Sequence, residues 1–379
     1  MHVYIHIPFC QSRCIYCDFY VELAKYGGIE AFVSALCQEI EYRWDGRDDL
    51  TPIQTLYLGG GTPSLLTGSQ IQQILNTLQR YTPLALDAEI TMECNPAQIV
   101  SPIEDYMIAG INRFSLGVQS LNNTELQKLS RQHRLTDVQR CIEDFYVAGA
   151  MNVGIDLMVN TPLQTPETWQ HTLTTLSRWN LKHVSIYGLQ VEEGTPLARL
   201  VQHPSNPYPL PDEATEQELE RITLAWALEH QFRRYEVSNY AKIGWESRHN
   251  MAYWRQASWW AFGPSAHGFI DGVRYENQAD LTTYLKNPLV EKRFTVSSAE
   301  RLENVLIFAL RTRYGVNLFD LQRQLNQAQN TALFAWLKPW LADGYLQLDE
   351  VKGRLWVPQE HWNLLHELLY PLPKLLSND

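Results

Sequence analysis

No stretch of this 379-residue chain is dense in lysine and arginine: 31 basic residues stand against 42 acidic ones, a formal net charge of −11. A strongly electrostatic nucleic-acid footprint is thereby excluded, because such footprints need a basic stripe to neutralise phosphates. No run approaches the roughly 18 apolar residues that a membrane-spanning helix requires. The first ten residues, Met1 to Cys10, lack a basic segment followed by a long apolar one. They do not read as a signal peptide, and the expected location is the cytoplasm. Cysteine is scarce, six residues in all, too few for a disulfide scaffold. In a chain without a secretion signal, clustered cysteine reads as metal or redox chemistry.

Three of the six are clustered. Cys10, Cys14 and Cys17 form the run Cys-x3-Cys-x2-Cys. Three thiolates on one loop can hold three irons of a 4Fe–4S cube and leave the fourth without a protein ligand, an open site of the kind that does chemistry. A structural zinc site is the competing reading. It normally takes four ligands in two separated pairs, and here His6 or Asp18 would have to complete the set. A redox Cys-x2-Cys pair would leave Cys10 unexplained. Cys37 and Cys141 fall in helix-like segments and read as small buried hydrophobes. Cys94 stands next to Glu93.

The pattern along the chain is of alternating strands and helices. Short apolar strands are expected at Val3–Ile7, Thr55–Leu58, Ala88–Met92, Arg113–Leu116, Val153–Leu157 and His183–Tyr187. Helical periodicity marks Ile29–Trp44, Ser69–Leu78 with Ser69 as N-cap, Pro102–Ala109, Asp137–Ala148 and Pro166–Trp179. Apolar strands separated by helices predict an α/β fold with a parallel sheet buried on both faces, here a (β/α)6 partial barrel. Glycine and polar motifs sit at the C-terminal ends of these strands, where such folds bind ligands. Gly59-Gly60-Gly61 is expected to leave backbone N–H groups bare for a carboxylate. Glu93 is placed to accept from ribose hydroxyls, and Gln119, Arg131 and Asp156 are further polar residues at or just past strand ends. Four prolines in 203–211 mark a break. A helix over Asp212–His230 and a strand over Tyr235–Ser238 follow. Helices over Glu300–Arg311 and Thr331–Leu341, then a hairpin of Gly344–Leu348 with Leu355–Val357, resemble a winged helix, expected to serve packing or interaction and not DNA reading. The expected division is 1–210 for the barrel, 211–297 for an extension and 298–379 for a C-terminal α+β module.

The cysteine run at the end of a first strand, followed by repeated β/α units, resembles the radical S-adenosylmethionine (SAM) superfamily. The resemblance narrows to the HemN/HemW family. It is carried by the segments Tyr4 to Cys10, Tyr16-Cys17-Asp18-Phe19, Leu58 to Leu65, Gly117 to Ser120 and Asp156-Leu157-Met158. It implies a 4Fe–4S cluster held by Cys10, Cys14 and Cys17, with SAM on the open iron, where one electron can cleave the sulfonium to a 5′-deoxyadenosyl radical. It places Tyr4, Gly60 and Glu93 at that SAM, and Tyr16, Gly61, Thr62, Gln119, Arg131 and Asp156 at a second SAM found in the decarboxylating members.

Two activities live in the family. One is radical oxidative decarboxylation of coproporphyrinogen III; the other is binding of haem and its delivery to haem-requiring respiratory proteins. The first goes with a long segment ahead of the cluster loop and a fourth cysteine soon after the third. Here the first cysteine is residue 10, and Cys17 is followed by Asp18-Phe19. The second goes with His-Asn-x-x-Tyr-Trp, present as His249-Asn250-Met251-Ala252-Tyr253-Trp254. Imidazole is a common haem ligand and the aromatic residues offer flat apolar area. Read without the family, the favoured reading is that His249 is a hydrogen-bonded loop histidine and the aromatics are core. The resemblance implies that His249, Asn250, Tyr253 and Trp254 contact haem, with His267 a second candidate ligand. In the family a Gly or Cys usually stands where Ser265 is. A haem carrier is thus the expected function and a porphyrinogen-oxidising enzyme the alternative. The expected partners are haem and its protein acceptors, with room for a homodimer and no nucleic acid.

Overall fold

The computed structural model describes residues 1–24, 28–289 and 291–372; the last seven positions of the expected C-terminal module lie outside them. Six parallel strands run β1 (His2–Ile7), β2 (Ile53–Gly60), β3 (Leu84–Cys94), β4 (Arg113–Gln119), β5 (Val153–Val159) and β6 (His183–Gly188), side by side in that order. Between them lie α1 (Gly28–Trp44), α2 (Gly68–Gln79), α3 (Ile103–Ala109), α4 (Leu135–Val147) and α5 (Pro166–Leu176). Each strand is continued by a residue or more at one or both ends relative to its apolar run, because the flanking residues are also paired in the ladder.

The sheet is largely covered on both faces, as expected, but its strands are apolar on only one. One face is apolar and packs on the helices: Val3, Ile5, Leu56, Leu58, Leu116 and Ile155 are all fully buried. The other face is polar. It carries Tyr4 and His6, Thr55 and Tyr57, Glu89 and Glu93, Arg113 and Ser115, Asp156, and Ser185 and Tyr187. A period of two lets one strand serve an apolar outer layer and a polar interior at once.

The sheet continues past both ends of this six-stranded unit to twelve strands. Trp259–Phe262 adds in parallel beside β1, and His267–Ile270, Val273–Asn277 and Glu291–Thr295 follow antiparallel. At the far edge Asn239–Ala241 runs antiparallel to β6 and pairs with Arg233–Arg234. The strand expected at Tyr235–Ser238 is instead the connection between these two. Tyr235 is fully buried with its hydroxyl 2.8 Å from His183 Nε2, and Glu236 is 1% exposed, so apolar and aromatic content there reflects burial and not ladder pairing.

Helix ends follow local chemistry. Gly110 closes α3 at φ 114°, a left-handed value open to glycine. The start of α2 is set by Thr67 and not Ser69: Thr67 Oγ1 accepts from Gln70 N at 3.3 Å while Gln70 Oε1 accepts from Thr67 N at 2.9 Å. Asp212 caps the helix Glu213–Glu229.

From Ser298 on there is a second core, built on Leu302, Leu306, Leu310, Leu333, Leu337 and Leu355. Its order is helix Ser298–Leu310, strand Val316–Asn317, helices Leu318–Gln322 and Gln327–Ala342, then strands Gln347–Asp349 and Arg354–Trp356. The last strand lies between the other two, a winged-helix arrangement. The two-residue strand and five-residue helix carry too few residues to show periodicity. No helix among the described residues is long and apolar enough to cross a membrane.

Candidate active site

The cysteine loop is an excursion pinned at both ends. Phe9–Cys10 pairs in parallel with Glu22–Leu23, and Ala24 N donates to Cys10 O at 2.9 Å. Within it Cys17 N donates to Cys14 O at 3.3 Å, and the loop tip is tied down by Leu197 N on Ile15 O at 3.0 Å. Cys10, Cys14 and Cys17 are unpaired and partly exposed. They line one cavity of about 550 Å³ at the C-terminal ends of the strands, shared with Tyr16, Gly60, Gly61, Thr62, Glu93, Gln119, Arg131 and Asp156. Eleven of the residues singled out from sequence are thus brought together. Met158, Tyr187 and Gln190 also line the cavity; of these, sequence reasoning quoted Met158 only as part of a motif, and placed Tyr187 only as a strand end.

These residues fit an iron–sulfur cube. Among the described residues, no group of three or more His, Cys, Asp and Glu side chains is gathered closely enough to hold a single metal ion. A cube spreads three cysteines over three irons, so its thiols stand further apart than those around one ion. Burial pushes the Cys10 and Cys17 thiols above the ordinary range, so a cation must offset it before they ionise. Arg131 supplies one beside the loop, with Nη1 3.5 Å from Cys14 Sγ and Nη2 on Gly117 O.

The glycine run works differently from the sequence expectation. Its amides are not bare. Gly60 N donates to Glu93 Oε2 at 3.1 Å, Gly61 N to Ile7 O at 2.8 Å and Thr62 N to Phe9 O at 2.7 Å. Side chains are excluded by close approach. A Cβ on Gly61 would lie 2.6 Å from Phe9 O, and one on Gly60, at φ 105°, would lie 2.4 Å from the His6 ring. The run therefore seats the cysteine loop directly on β2, and Thr62 Oγ1 sits 3.5 Å from Cys10 Sγ.

Glu93 is the hub of the cavity floor. Tyr57 donates to its Oε1 at 2.7 Å. Burial raises its pKa to about 7, the Tyr57 bond opposing and Asp156 adding to the rise. Asp156, also raised chiefly by burial, accepts from Ser185 Oγ at 2.7 Å and Ser115 Oγ at 3.0 Å. Both carboxyls are partly reached by solvent through the cavity. Gln119 holds a left-handed φ of 72° where β4 slips its register, and its Oε1 accepts from Tyr187 at 2.7 Å. Such strain at a strand end aims a side chain into a site.

Tyr4 does not line the cavity. Its ring stacks on Tyr57 at 6.3 Å and its hydroxyl lies 3.0 Å from His6 Nδ1. The residues His249, Asn250, Tyr253 and Trp254 are likewise elsewhere. They form a short helix, Arg248–Trp254, and not a loop. His249 is 1% exposed, with Nδ1 2.7 Å from Thr55 Oγ1 and Nε2 2.8 Å from Tyr253 Oη. Trp254 packs edge-on against Phe308 of the C-terminal module at 5.9 Å. Asn250 is half-buried, and His267 is exposed at the start of its strand.

A parallel partial barrel with three open thiols at its C-terminal rim defines a radical SAM protein, and residues 4–176 match the model of the radical SAM superfamily. Its cofactors are a 4Fe–4S cluster and SAM. The chain is 33% identical to the "heme chaperone HemW" of Bacillus subtilis over 83% of its own length and 84% of the relative's. It is 32% identical to the protein of the same name from Synechocystis, over 88% and 83%. The chain belongs to the HemW family of that superfamily. Its backbone is similar to that of Escherichia coli coproporphyrinogen III oxidase (HemN), with a TM-score of 0.83 at 20% identity over 98% of this chain and 89% of that one, a likeness of fold.

Proposed function

We propose that this chain is a cytoplasmic haem chaperone: it binds haem and passes it to haem-requiring respiratory proteins, while carrying the cluster and SAM. The observation that supports this reading is the likeness, over most of its length, to relatives named for that activity. Cys10, Cys14 and Cys17 would hold the cluster, which would leave one iron open to SAM and would supply the electron that cleaves its sulfonium. The chain's own residues order that cavity. Gly60, Gly61 and Thr62 seat the cysteine loop, Arg131 balances its charge, and Glu93 and Asp156 present acceptors for hydroxyl groups.

Haem needs an imidazole that it can reach. Ligation by His249 requires two hydrogen bonds to break and its helix to leave the barrel. His267 is exposed as it stands. Titration of haem into the purified full chain, followed in the Soret band, tests the reading. A saturable shift, followed by transfer to an apo-haemoprotein, is expected. Absence of any shift, together with anaerobic turnover of coproporphyrinogen III by the reduced protein, would overturn it in favour of an enzyme.

A further inference from the structure

The helix Arg248–Trp254 does not line the cluster cavity but is connected to it through Tyr57. The His249 ring lies almost parallel to Tyr57, with centroids 5.1 Å apart and planes 26° from coplanar. Tyr253 closes against His249 edge-on at 4.7 Å. Tyr57 spans the remaining distance, its hydroxyl 2.7 Å from Glu93 Oε1. The helix is also tied to the strand that carries Glu93. Arg248 N and His249 N donate to Glu89 Oε2 and Oε1 at 3.0 and 2.9 Å, and Glu89 lies on the same face of β3 as Glu93.

Each contact removes a freedom that the next would otherwise have. An aromatic ring on a strand can rock about its χ angles, and rocking moves a Tyr hydroxyl farther than any other atom of the ring. A flat ring packed against it limits that motion. The imidazole is itself fixed, because two hydroxyls hold its two nitrogens in one plane. Burial keeps it neutral, with a pKa lowered to about 3, so it donates from one nitrogen and accepts at the other. A carboxylate held from below and by the Gly60 amide is preorganised for a ligand above.

We infer that His249 is a positioning residue of the SAM site, acting through Tyr57 on Glu93. The inference stands whether or not the chain carries haem, since it rests on the barrel floor and on the cavity shared with the three cysteines.

The test is SAM affinity of the anaerobically reconstituted full chain, measured by calorimetry, with haem titration in the Soret band run on the same samples. Tyr57→Phe and His249→Ala are each expected to weaken SAM binding by about tenfold, the effect of one lost hydrogen bond to a charged group. Because the two act in series, the double variant should be no weaker than about tenfold, not the hundredfold of independent sites. The Soret shift should be unchanged in all three. Full SAM affinity in either single variant, or a hundredfold loss in the double, overturns the inference. So does loss of the Soret shift in His249→Ala with SAM affinity intact, which would make His249 a haem ligand. Should His249→Ala fail to fold, Tyr253→Phe removes only one of the two hydroxyls that fix the imidazole; a several-fold weaker SAM affinity supports the inference and an unaltered one overturns it.

Discussion

The Glu39 carboxylate on α1 accepts a hydrogen bond from Gly263 N at 2.9 Å, joining the first helix to the turn after the strand Trp259–Phe262. Glu39 is fully buried and serves three more partners: Arg43 Nε at 2.9 Å, Asn277 Nδ2 at 2.8 Å and the Tyr284 hydroxyl at 2.6 Å. One side chain thus clamps the extension strands to the barrel.

Glu39→Leu should therefore be severe. It leaves Arg43 partly unpaired, Asn277 Nδ2 with Gly263 O alone, and Gly263 N and the Tyr284 hydroxyl without an acceptor, a class of change that costs about 3–5 kcal/mol. Glu39→Gln keeps the shape and some of the bonds and should cost about half as much. Urea denaturation checks both, and a loss below about 1 kcal/mol for Glu39→Leu would show that the clamp is dispensable.

Five of the six cysteines should separate cleanly by iron content. Serine at Cys10, Cys14 or Cys17 should each abolish the visible absorption of the reconstituted cluster, because each thiolate holds a different iron. Serine at Cys37 or Cys141, both buried away from the cavity, should leave iron and sulfide unchanged at a modest cost in stability. Cluster loss in either of the latter would contradict the site.

Glu93 predicts a pH dependence. Its folded pKa of about 7 lies above the ordinary 4.5, so the folded chain binds more protons than the unfolded one between those values. Stability from this group is then lost as pH rises from about 4.5 through about 7 and is flat above. Glu93→Gln has no proton to lose. Relative to the natural chain, it should gain on the order of 1 kcal/mol between ~pH 5 and ~pH 8, a figure reduced for the solvent that reaches the carboxyl. Denaturant midpoints at the two pH values decide it; no relative gain would mean that Glu93 titrates normally.

Thr67 and Ser69 offer a local test of helix capping. Thr67→Ala should cost about 1 kcal/mol, since it removes the acceptor for Gln70 N. Ser69→Ala, at an exposed position inside α2, should stay within about 0.5 kcal/mol. Equal effects would mean that the cap lies elsewhere.

Most of the barrel could be read along the chain. Ile71, Ile74, Leu75 and Leu78 repeat at helical spacing within α2, and Gly110 stands where α3 must turn. The cysteine loop was legible for the same reason: three ligands seven residues apart at most carry their own geometry. The strand at Tyr235–Ser238 was misread, because its aromatic and β-branched residues signal burial as readily as pairing. Ser69 was misread as a cap because two hydroxyl residues stand two positions apart and only the reciprocal bond with Gln70 distinguishes them.

The chemistry of this protein is written locally, in Cys10, Cys14 and Cys17 and in the glycines of β2, since each set lies within one loop or one strand-to-loop junction. Its arrangement is not. The amides of Gly60 and Gly61 are spent on Glu93 Oε2 and Ile7 O, Glu39 meets Gly263 across 224 positions and His249 meets Thr55 across 194. No periodicity or motif spans such separations. They exist only once the sheet has brought β1, β2 and Trp259–Phe262 side by side, and that packing buries His249 between the Thr55 and Tyr253 hydroxyls.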